Sequence, residues 1–335
     1  MSTIEEIESA CGSARPARLQ RHAVEPPDLV FENTLYPYGF PTVIRTNSER
    51  ILERFTALWG KFRKQHDTDP IQVDAQLVES NSLECPPEPT YRFMMPLMMC
   101  VADRDNYSIV DIDRGCARLS VSTAALRHWP YVRYFLFGTP TCCIATNFTT
   151  PVHAGCVALH GRGILLCGDS GAGKSTLSYA CARSGWTYVS DDASYLLNGG
   201  TERLVTGNCH QVRFRPSAAE LFPEIEGLEL TPRAAGKPSI EMPMPTMPHI
   251  ACAQTAKVDY IVFLNRRSGD SPQLMPYRRD VARQFMRQVL FGSAATLVVQ
   301  YEAIERLLTA EIYELRYRDL DWAVARLRAL AESGG

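Results

Sequence analysis

The first 150 residues carry short runs in which apolar and polar positions alternate, and one segment repeats its apolar residues with helical spacing. Alternation is typical of strands with one buried face, whereas a repeat near 3.6 residues is typical of an amphipathic helix. The helix would bury Ile51, Phe55, Leu58 and Trp59 on one face. The predicted elements of this part are strands at 29–31 and 41–44, a helix at 47–64, a hairpin at 107–113 and 117–122, and a helix at 128–137.

From Val152 onward the apolar runs become longer and alternate with helical segments. The predicted elements are strands at 152–159, 163–167, 186–190, 258–264 and 312–317, and helices at 174–182, 280–291 and 320–332. The proline-rich stretch 238–248 is predicted to be an extended or mobile loop. The alternation predicts an α/β fold. We divide it into a mobile lead (1–28), a smaller N-terminal α/β domain for recognition or assembly (29–150) and a second domain (151–335).

The composition is that of a soluble globular protein, with 45% hydrophobic and 21% charged residues in a chain of 335. A net charge of -2 gives no sign of a nucleic-acid partner, and no apolar run reaches the roughly 18 residues of a membrane span. The segment 1–19 lacks an apolar core, so we expect no secretory signal. The 11 cysteines have no metal-ligand spacing, which is typical of reduced thiols in a cytoplasmic protein.

The strongest chemical signal is a glycine-rich segment between the strand 163–167 and the helix 174–182. It matches the pattern G-x-x-x-x-G-K-[ST], and its residues are Gly168, Asp169, Ser170, Gly171, Ala172, Gly173, Lys174 and Ser175, with Thr176 next in the helix. The backbone amides of such a loop and the positive end of the following helix bind phosphate. Lys174 is expected to contact the β- and γ-phosphates of ATP, and the Ser175 hydroxyl to bind Mg²⁺. A purely structural turn is the alternative.

Two adjacent carboxylates, Asp191 and Asp192, follow the predicted strand 186–190. In an open α/β sheet the carboxyl ends of the strands are where ligands bind. One carboxylate could hold Mg²⁺ while the other accepts the proton of an attacking hydroxyl. The alternative is that the pair only caps a turn.

Four further residues are candidates on weaker signals. Arg213 and Arg215 alternate with apolar residues and are predicted to share one strand face, which suits phosphate or carboxylate recognition or, alternatively, a solvated surface. Lys237 stands beside the proline-rich stretch and could fold over a nucleotide. His153 begins the strand that leads to the glycine-rich loop, a position at which histidine alone is more often a surface or core residue than a catalytic one.

Together these motifs resemble the catalytic domain of the HPr kinase/phosphorylase family over about residues 152–196. The matching segments are Val152-His153, Gly161-Arg-Gly163-Ile-Leu-Leu, the loop 168–175 and Asp191-Asp192. The resemblance implies a phosphate-loop kinase fold related to phosphoenolpyruvate carboxykinase for the domain 151–335. It also implies that Asp191 is the general base, that Asp192 holds the metal, and that His153 lies beside Asp191.

One segment departs from the family pattern. Where the family has E-I-R-G-x-G after the aspartate pair, this chain has Gln211-Val-Arg-Phe-Arg-Pro216, without the glutamate or the glycines. The departure argues against HPr as substrate and against reverse phosphorolysis, so the chain is expected to be a paralogue of the bifunctional enzyme.

The expected activity is therefore ATP-dependent transfer of the γ-phosphate to a hydroxyl, with Asp191 as base and with the charges of Lys174, Arg213 and Arg215 stabilising the transition state. The acceptor is a serine of a protein or peptide, or a small-molecule alcohol. The alternative is a non-catalytic regulator that binds nucleotide. The resemblance also implies a possible homo-oligomer, and we expect neither a nucleic-acid nor a membrane partner.

Overall fold

The computed structural model describes residues 28–231, 238–244, 247, 249–266 and 271–333, and these form a mixed α/β structure. The predicted mobile lead lies outside the described residues, apart from Asp28. Within the described ranges the strands form sheets of seven, nine and three strands.

The N-terminal sheet has the strand order β1-β2-β3-β7-β6-β5-β4. Its strands are β1 (Phe31–Leu35), β2 (Thr42–Thr46), β3 (Ile71–Val78), β4 (Thr90–Met94), β5 (Leu97–Val101), β6 (Tyr107–Asp111) and β7 (Cys116–Ser122). The predicted hairpin is confirmed, because β6 and β7 pair antiparallel. Helix α1 (Glu49–Trp59) ends before Gly60 instead of continuing to the predicted position 64, since glycine is a weak helix former.

The nine-stranded sheet has the order β11-β9-β10-β17-β13-β12-β8, and β19 joins β17 to β18 at its side. Its strands are β8 (Thr149–Val152), β9 (Ala154–Leu159), β10 (Arg162–Cys167), β11 (Thr187–Ser190), β12 (Ser194–Leu197), β13 (Leu204–Gly207), β17 (Thr255–Asn265), β18 (Gln273–Pro276) and β19 (Glu311–Arg316). β10, β17 and β19 are parallel. β11 runs in the same direction as β10, because both pair antiparallel with β9. Four strands therefore end at one edge of this sheet.

The proline-rich stretch is the clearest correction to the predicted elements. Its residues Ser239–Pro243 form a strand, β16, instead of a loop. β16 lies between β14 (Gln211–Phe214) and β15 (Leu230–Thr231) in the three-stranded sheet. Pro243 is the last residue of β16 and lies beyond Ser239 and Ile240, the part of β16 that pairs with β15. Residues 245–246 and 248 of the stretch are outside the described residues.

The helices flank these sheets. They are α1, α2 (Trp129–Val132), α3 (Gly138–Asn147), α4 (Lys174–Arg183), α5 (Arg279–Arg287), α6 (Ala294–Leu307) and α7 (Leu320–Ser333). A π-helical turn, Arg133–Phe137, joins α2 to α3, so the predicted helix 128–137 is the first part of a longer helical segment. α6 was not predicted, because the exposed Val298, Val299 and Tyr301 obscure its amphipathic pattern. Across the residues described, no helix combines the length and the apolar character needed to span a membrane.

The two large sheets share part of one hydrophobic core. Trp59 and Phe55 are fully buried at the centre of the N-terminal cluster, and Tyr195 from β12 belongs to the same cluster. The rings of Tyr38 and Tyr195 lie 4.8 Å apart. The predicted division between residues 150 and 151 falls inside β8. The N-terminal part is therefore packed directly against the sheet that carries the candidate site.

Candidate phosphate-binding site

The predicted site residues meet at the edge where the parallel strands end. β10 leads into the glycine-rich loop, and β11 ends at Ser190, immediately before the two aspartates. β17 ends at Asn265, so Arg266 follows it at the same edge. β9 runs in the opposite direction, which brings His153, the residue before it, to this edge as well. The sheet topology thus gathers groups that are far apart in the chain.

The loop conformation depends on its glycines. Gly168 and Gly173 have φ angles of 150° and 99°, a region that residues with a side chain rarely adopt. A Cβ atom at Gly168 would lie 2.9 Å from the Cβ of Ala172, and one at Gly173 would lie 3.0 Å from the Tyr317 hydroxyl. At these two positions the loop backbone therefore lies so close to neighbouring residues that a side chain has little room. Helix α4 begins directly after it, at Lys174.

The Lys174 side chain is buried, with only 4% of it exposed, although it carries a charge. Its ammonium donates to the Gly168 carbonyl at 2.8 Å and lies 3.0 Å from His153 Nε2. It is also 3.3 Å from Asp192 Oδ1. These contacts satisfy a charge that would be costly to bury alone. They also hold the ammonium over the loop.

His153 lies beside Asp192, which differs from the sequence-based expectation that it lies beside Asp191. Its Nδ1 atom is 3.7 Å from Asp192 Oδ1, and its Nε2 atom faces Lys174. Burial lowers the pKa of His153, and the Asp192 carboxylate acts against this shift. A neutral imidazole is therefore favoured at pH 7, with Nε2 accepting from the lysine and the Nδ1 proton directed toward the carboxylate.

The two aspartates have different surroundings. Asp191 is only 8% exposed, and its Oδ2 atom accepts a hydrogen bond from the backbone N–H of Arg213 at 2.9 Å. The side chain of Asp192 is half exposed. A glycine in β9 allows this arrangement, because a Cβ atom at Gly155 would lie 2.8 Å from the carbonyl oxygen of Asp191. The backbone of β9 thus fixes how deeply Asp191 sits.

A cleft of about 460 Å³ contains most of the predicted site. The predicted residues that line it are His153, Ser170, Gly171, Gly173, Lys174, Ser175, Thr176, Asp191, Asp192, Arg213 and Arg215. Arg266 and Ser239 also line it and were not singled out from the sequence. Arg266 had a usable signal, since it follows the end of the predicted strand 258–264 by two positions. Lys237 lies outside the described residues.

Arg213 is held by the carboxylate of Glu241, which is not one of the predicted site residues. Its Nε atom is 3.0 Å from Glu241 Oε1, and the two residues are paired in the register of β14 and β16. Arg215 follows the end of β14 in an extended conformation, is exposed, and lines the same cleft as Arg213. Arg213 thus belongs to a strand, whereas Arg215 is the residue that follows that strand.

A second cleft of about 350 Å³ lies on the other side of the loop. Gly168, Asp169 and Ala172 line it from the loop, and Phe263, Tyr277 and Phe285 supply aromatic walls. Asn265 donates to Glu314 at 2.8 Å beside it. Aromatic walls of this kind suit the stacking of a planar ring.

The donor groups near the loop fit a magnesium ion that is bound mainly by phosphate and water. The Ser175 hydroxyl and the Asp192 carboxylate line the same cleft and are hard oxygen ligands, which Mg²⁺ prefers. In the part of the chain that the structure covers, no group of three His, Cys, Asp or Glu side chains could hold a metal by itself. A pair of protein ligands is the usual number for Mg²⁺ bound together with substrate phosphates.

Comparison with known proteins gives a distant structural likeness. No protein-family model matches the chain, and no curated protein matches it. Among solved structures, the chain is similar to the Hpr(Ser) kinase/phosphatase from Coxiella burnetii, at 14% sequence identity and a TM-score of 0.33. The match covers 55% of this chain and 99% of that one. At this TM-score the likeness adds nothing to the site, which rests on its own geometry.

Proposed function

We propose that this protein is an ATP-dependent phosphotransferase that uses Mg²⁺ and moves the γ-phosphate of ATP onto a hydroxyl group. The observation that carries the proposal is the placement of a buried carboxylate, Asp191, in the same cleft as Lys174 and Ser175 of the glycine-rich loop. A loop of this kind binds phosphate, and a carboxylate beside it supplies the base that a nucleotide sensor does not need. We further propose that the domain is related to phosphoenolpyruvate carboxykinase.

In the proposed reaction the backbone amides of 168–175 hold the triphosphate. The Lys174 ammonium then binds the β- and γ-phosphates in place of its present partners. Asp191 accepts the proton of the acceptor hydroxyl, and the oxygen of that hydroxyl forms a bond to the γ-phosphorus. The bond between that phosphorus and the β,γ-bridging oxygen breaks, and ADP leaves. Arg213, Arg215 and Arg266 line the cleft and would neutralise charge on the transferring group.

Ser175 and Asp192 would hold the magnesium ion, which neutralises phosphate charge when bound. The contact between Lys174 and Asp192 supports this assignment, because it places the carboxylate at the loop where the phosphates would lie. His153, whose Nδ1 atom faces Asp192 Oδ1 at 3.7 Å and whose Nε2 atom faces Lys174, is a neighbour of the metal ligand and not the proposed base. The second cleft, with its aromatic walls, is suited to the nucleobase.

The substitution Asp191→Asn tests the assignment of the base. We expect it to leave the Kd of ATP within about twofold and to lower phosphate transfer by about 100-fold or more, since general-base catalysis contributes on that scale. Binding is measured by calorimetry, and transfer by incubating radiolabelled ATP and Mg²⁺ with a fractionated lysate. Asp67→Asn is the matched control, because that side chain is 92% exposed and pairs only at the surface with Lys64.

The same experiment identifies the class of acceptor. Label in the macromolecular fraction indicates a serine of a protein or peptide, and label in the small-molecule fraction indicates an alcohol. Transfer by Asp191→Asn at the parent rate would show that Asp191 is not the base. ATP binding by the parent protein without transfer into any fraction would favour a nucleotide-binding regulator.

A further inference from the structure

Arg133 lies in the N-terminal part of the chain but points its charge toward the candidate site. It begins the π-helical turn between α2 and α3, and single π turns are frequent at functional sites. Its guanidinium lies 4.9 Å from the centre of the Phe137 ring, and Phe137 stacks on the buried Trp59 at 4.7 Å. The side chain is thus anchored in the N-terminal core and is only 13% exposed.

The guanidinium of Arg133 reaches two residues of the three-stranded sheet. Its Nη1 atom donates to Glu241 Oε1 at 3.1 Å, and its Nη2 atom donates to Gln211 Oε1 at 3.3 Å. Gln211 in turn donates through Nε2 to Glu241 Oε2 at 2.8 Å. The Glu241 side chain is 8% exposed. A carboxylate buried to this degree needs its charged partners, because losing one leaves a desolvated charge poorly compensated.

The same network extends to Asp191. Glu241 also contacts Arg213 Nε at 3.0 Å, and the backbone N–H of Arg213 donates to Asp191 Oδ2 at 2.9 Å. Arg133 and Arg213 therefore hold one carboxylate between them, and the strand that carries Arg213 supplies the amide that orients Asp191. Direct polar contacts therefore connect Arg133 to Asp191 through Glu241 and Arg213, and Arg213 takes part with both its side chain and its backbone.

We propose that Arg133 is a positioning residue for phosphate transfer. It fixes β14 through Glu241 and Gln211, so that the amide of Arg213 keeps the Asp191 carboxylate in place. The proposal rests on the proposed function, in which Asp191 is the base. It makes the N-terminal part a contributor to the geometry of the reaction, in addition to any part it has in recognition. A small displacement of a base is enough to slow a reaction by up to about 100-fold.

The test compares Arg133→Met, Arg133→Lys and the parent protein by two measurements. The first is amide hydrogen exchange of residues 211–215, which reports the Arg213 hydrogen bond and does not depend on activity. The second is the steady-state rate at which ADP is formed from ATP with Mg²⁺ and the acceptor fraction found by the transfer assay, with kcat and KM determined separately. Arg45→Met is the matched control, because Arg45 forms an ion pair with Asp74 in the N-terminal sheet, away from the cleft.

For Arg133→Met we expect about tenfold faster exchange of the Arg213 amide and about tenfold lower kcat, with KM for ATP within about twofold. Arg133→Lys keeps the charge but cannot contact Glu241 and Gln211 together, so we expect an intermediate effect. The control should match the parent in both measurements. A merely stabilising role would lower the melting temperature and leave kcat and the exchange of 211–215 unchanged.

Parent-like exchange and parent-like kcat in folded Arg133→Met would overturn the proposal. If that variant does not fold, Gln211→Leu removes the Arg133 contact at 3.3 Å while leaving all charges in place, and the same two measurements apply. If the parent protein forms no ADP and labels no acceptor, the proposed function fails. The exchange measurement then still decides whether Arg133 holds the Arg213 amide, so the two failures are distinguishable.

Discussion

The glycine-rich loop and the network behind Asp191 meet in one cleft, yet they are built in different ways. The loop is a continuous segment of eight residues whose conformation follows from its own glycines and from the helix after it. The network joins Arg133, Glu241 and Arg213, which lie on three separate segments of the chain. The first holds phosphate by local backbone geometry, and the second sets a side chain by tertiary packing. The comparison teaches that binding and chemistry at this site depend on different parts of the fold.

Lys174→Ala should have the largest effect of the substitutions that separate these two regions, because it removes the charge that faces both the loop and Asp192. We expect ATP binding to weaken by about 30-fold, the equivalent of about 2 kcal/mol for a hydrogen bond to a charged group, and phosphate transfer to be lost. Calorimetry and transfer of radiolabel measure the two quantities. Lys257→Ala is the control, since Lys257 is half exposed and pairs with Glu202. Undiminished ATP binding by Lys174→Ala would contradict a phosphate-binding role for the loop.

Gly155→Ala should separate chemistry from binding. The added methyl group would lie 2.5 Å from Ser178 Oγ and 2.8 Å from the Asp191 carbonyl, so the segment that carries the base must shift. We expect kcat to fall by about tenfold, with the Kd of ATP within about threefold. Overpacking of this kind also costs about 1–3 kcal/mol in the free energy of unfolding.

Urea denaturation and steady-state kinetics provide the measurements for Gly155→Ala. Gly161→Ala is a suitable control for the added methyl group, because nothing lies within 4 Å of a Cβ atom there, although its φ angle of 79° adds backbone strain of its own. A Gly155→Ala protein that keeps the parent kcat would show that β9 does not fix the position of Asp191.

The smallest effect concerns pH. Burial lowers the pKa of His153, so the folded protein binds fewer protons at this group than the unfolded chain does. Its contribution to stability is therefore present above the unfolded pKa, near 6.5, and is lost as the pH falls through the lower folded pKa. We expect the free energy of unfolding to drop less between pH 7.5 and pH 5.5 in His153→Gln than in the parent.

Denaturation by urea at the two pH values checks this expectation. Some dependence on pH should remain in His153→Gln, because burial also lowers the pKa of His66 and of His210. An unchanged difference between the two pH values would show that His153 is not held neutral by its surroundings. The result would then weaken the assignment of its proton to Nδ1.

The sequence predicted the glycine-rich loop and its flanking elements well, because a local motif contains most of the information that determines their structure. The strand before the loop, the helix start at Lys174 and the strand that ends before Asp191 all lie within two residues of their predicted positions. Arg266 could have been found as well, since it follows the predicted strand 258–264 by two positions.

The contacts around the two aspartates could not be predicted from local patterns. Glu241 lies in a stretch whose prolines indicated a loop, and only its pairing with β14 makes it the partner of Arg213. Arg133 has no sequence signal, because its role depends on a contact with a residue 108 positions away. The family resemblance implied that His153 lies beside Asp191, whereas in the structure the turn after β11 brings Asp192 next to His153. Tertiary packing decided each of these positions.

The core that the two large sheets share has a practical consequence. A fragment cut at residue 151 would begin inside β8 and would strip Tyr195 of the ring of Tyr38. Newly bared apolar surface of this kind makes a truncated protein prone to aggregate. The molecule is therefore best handled undivided in expression, purification and crystallisation.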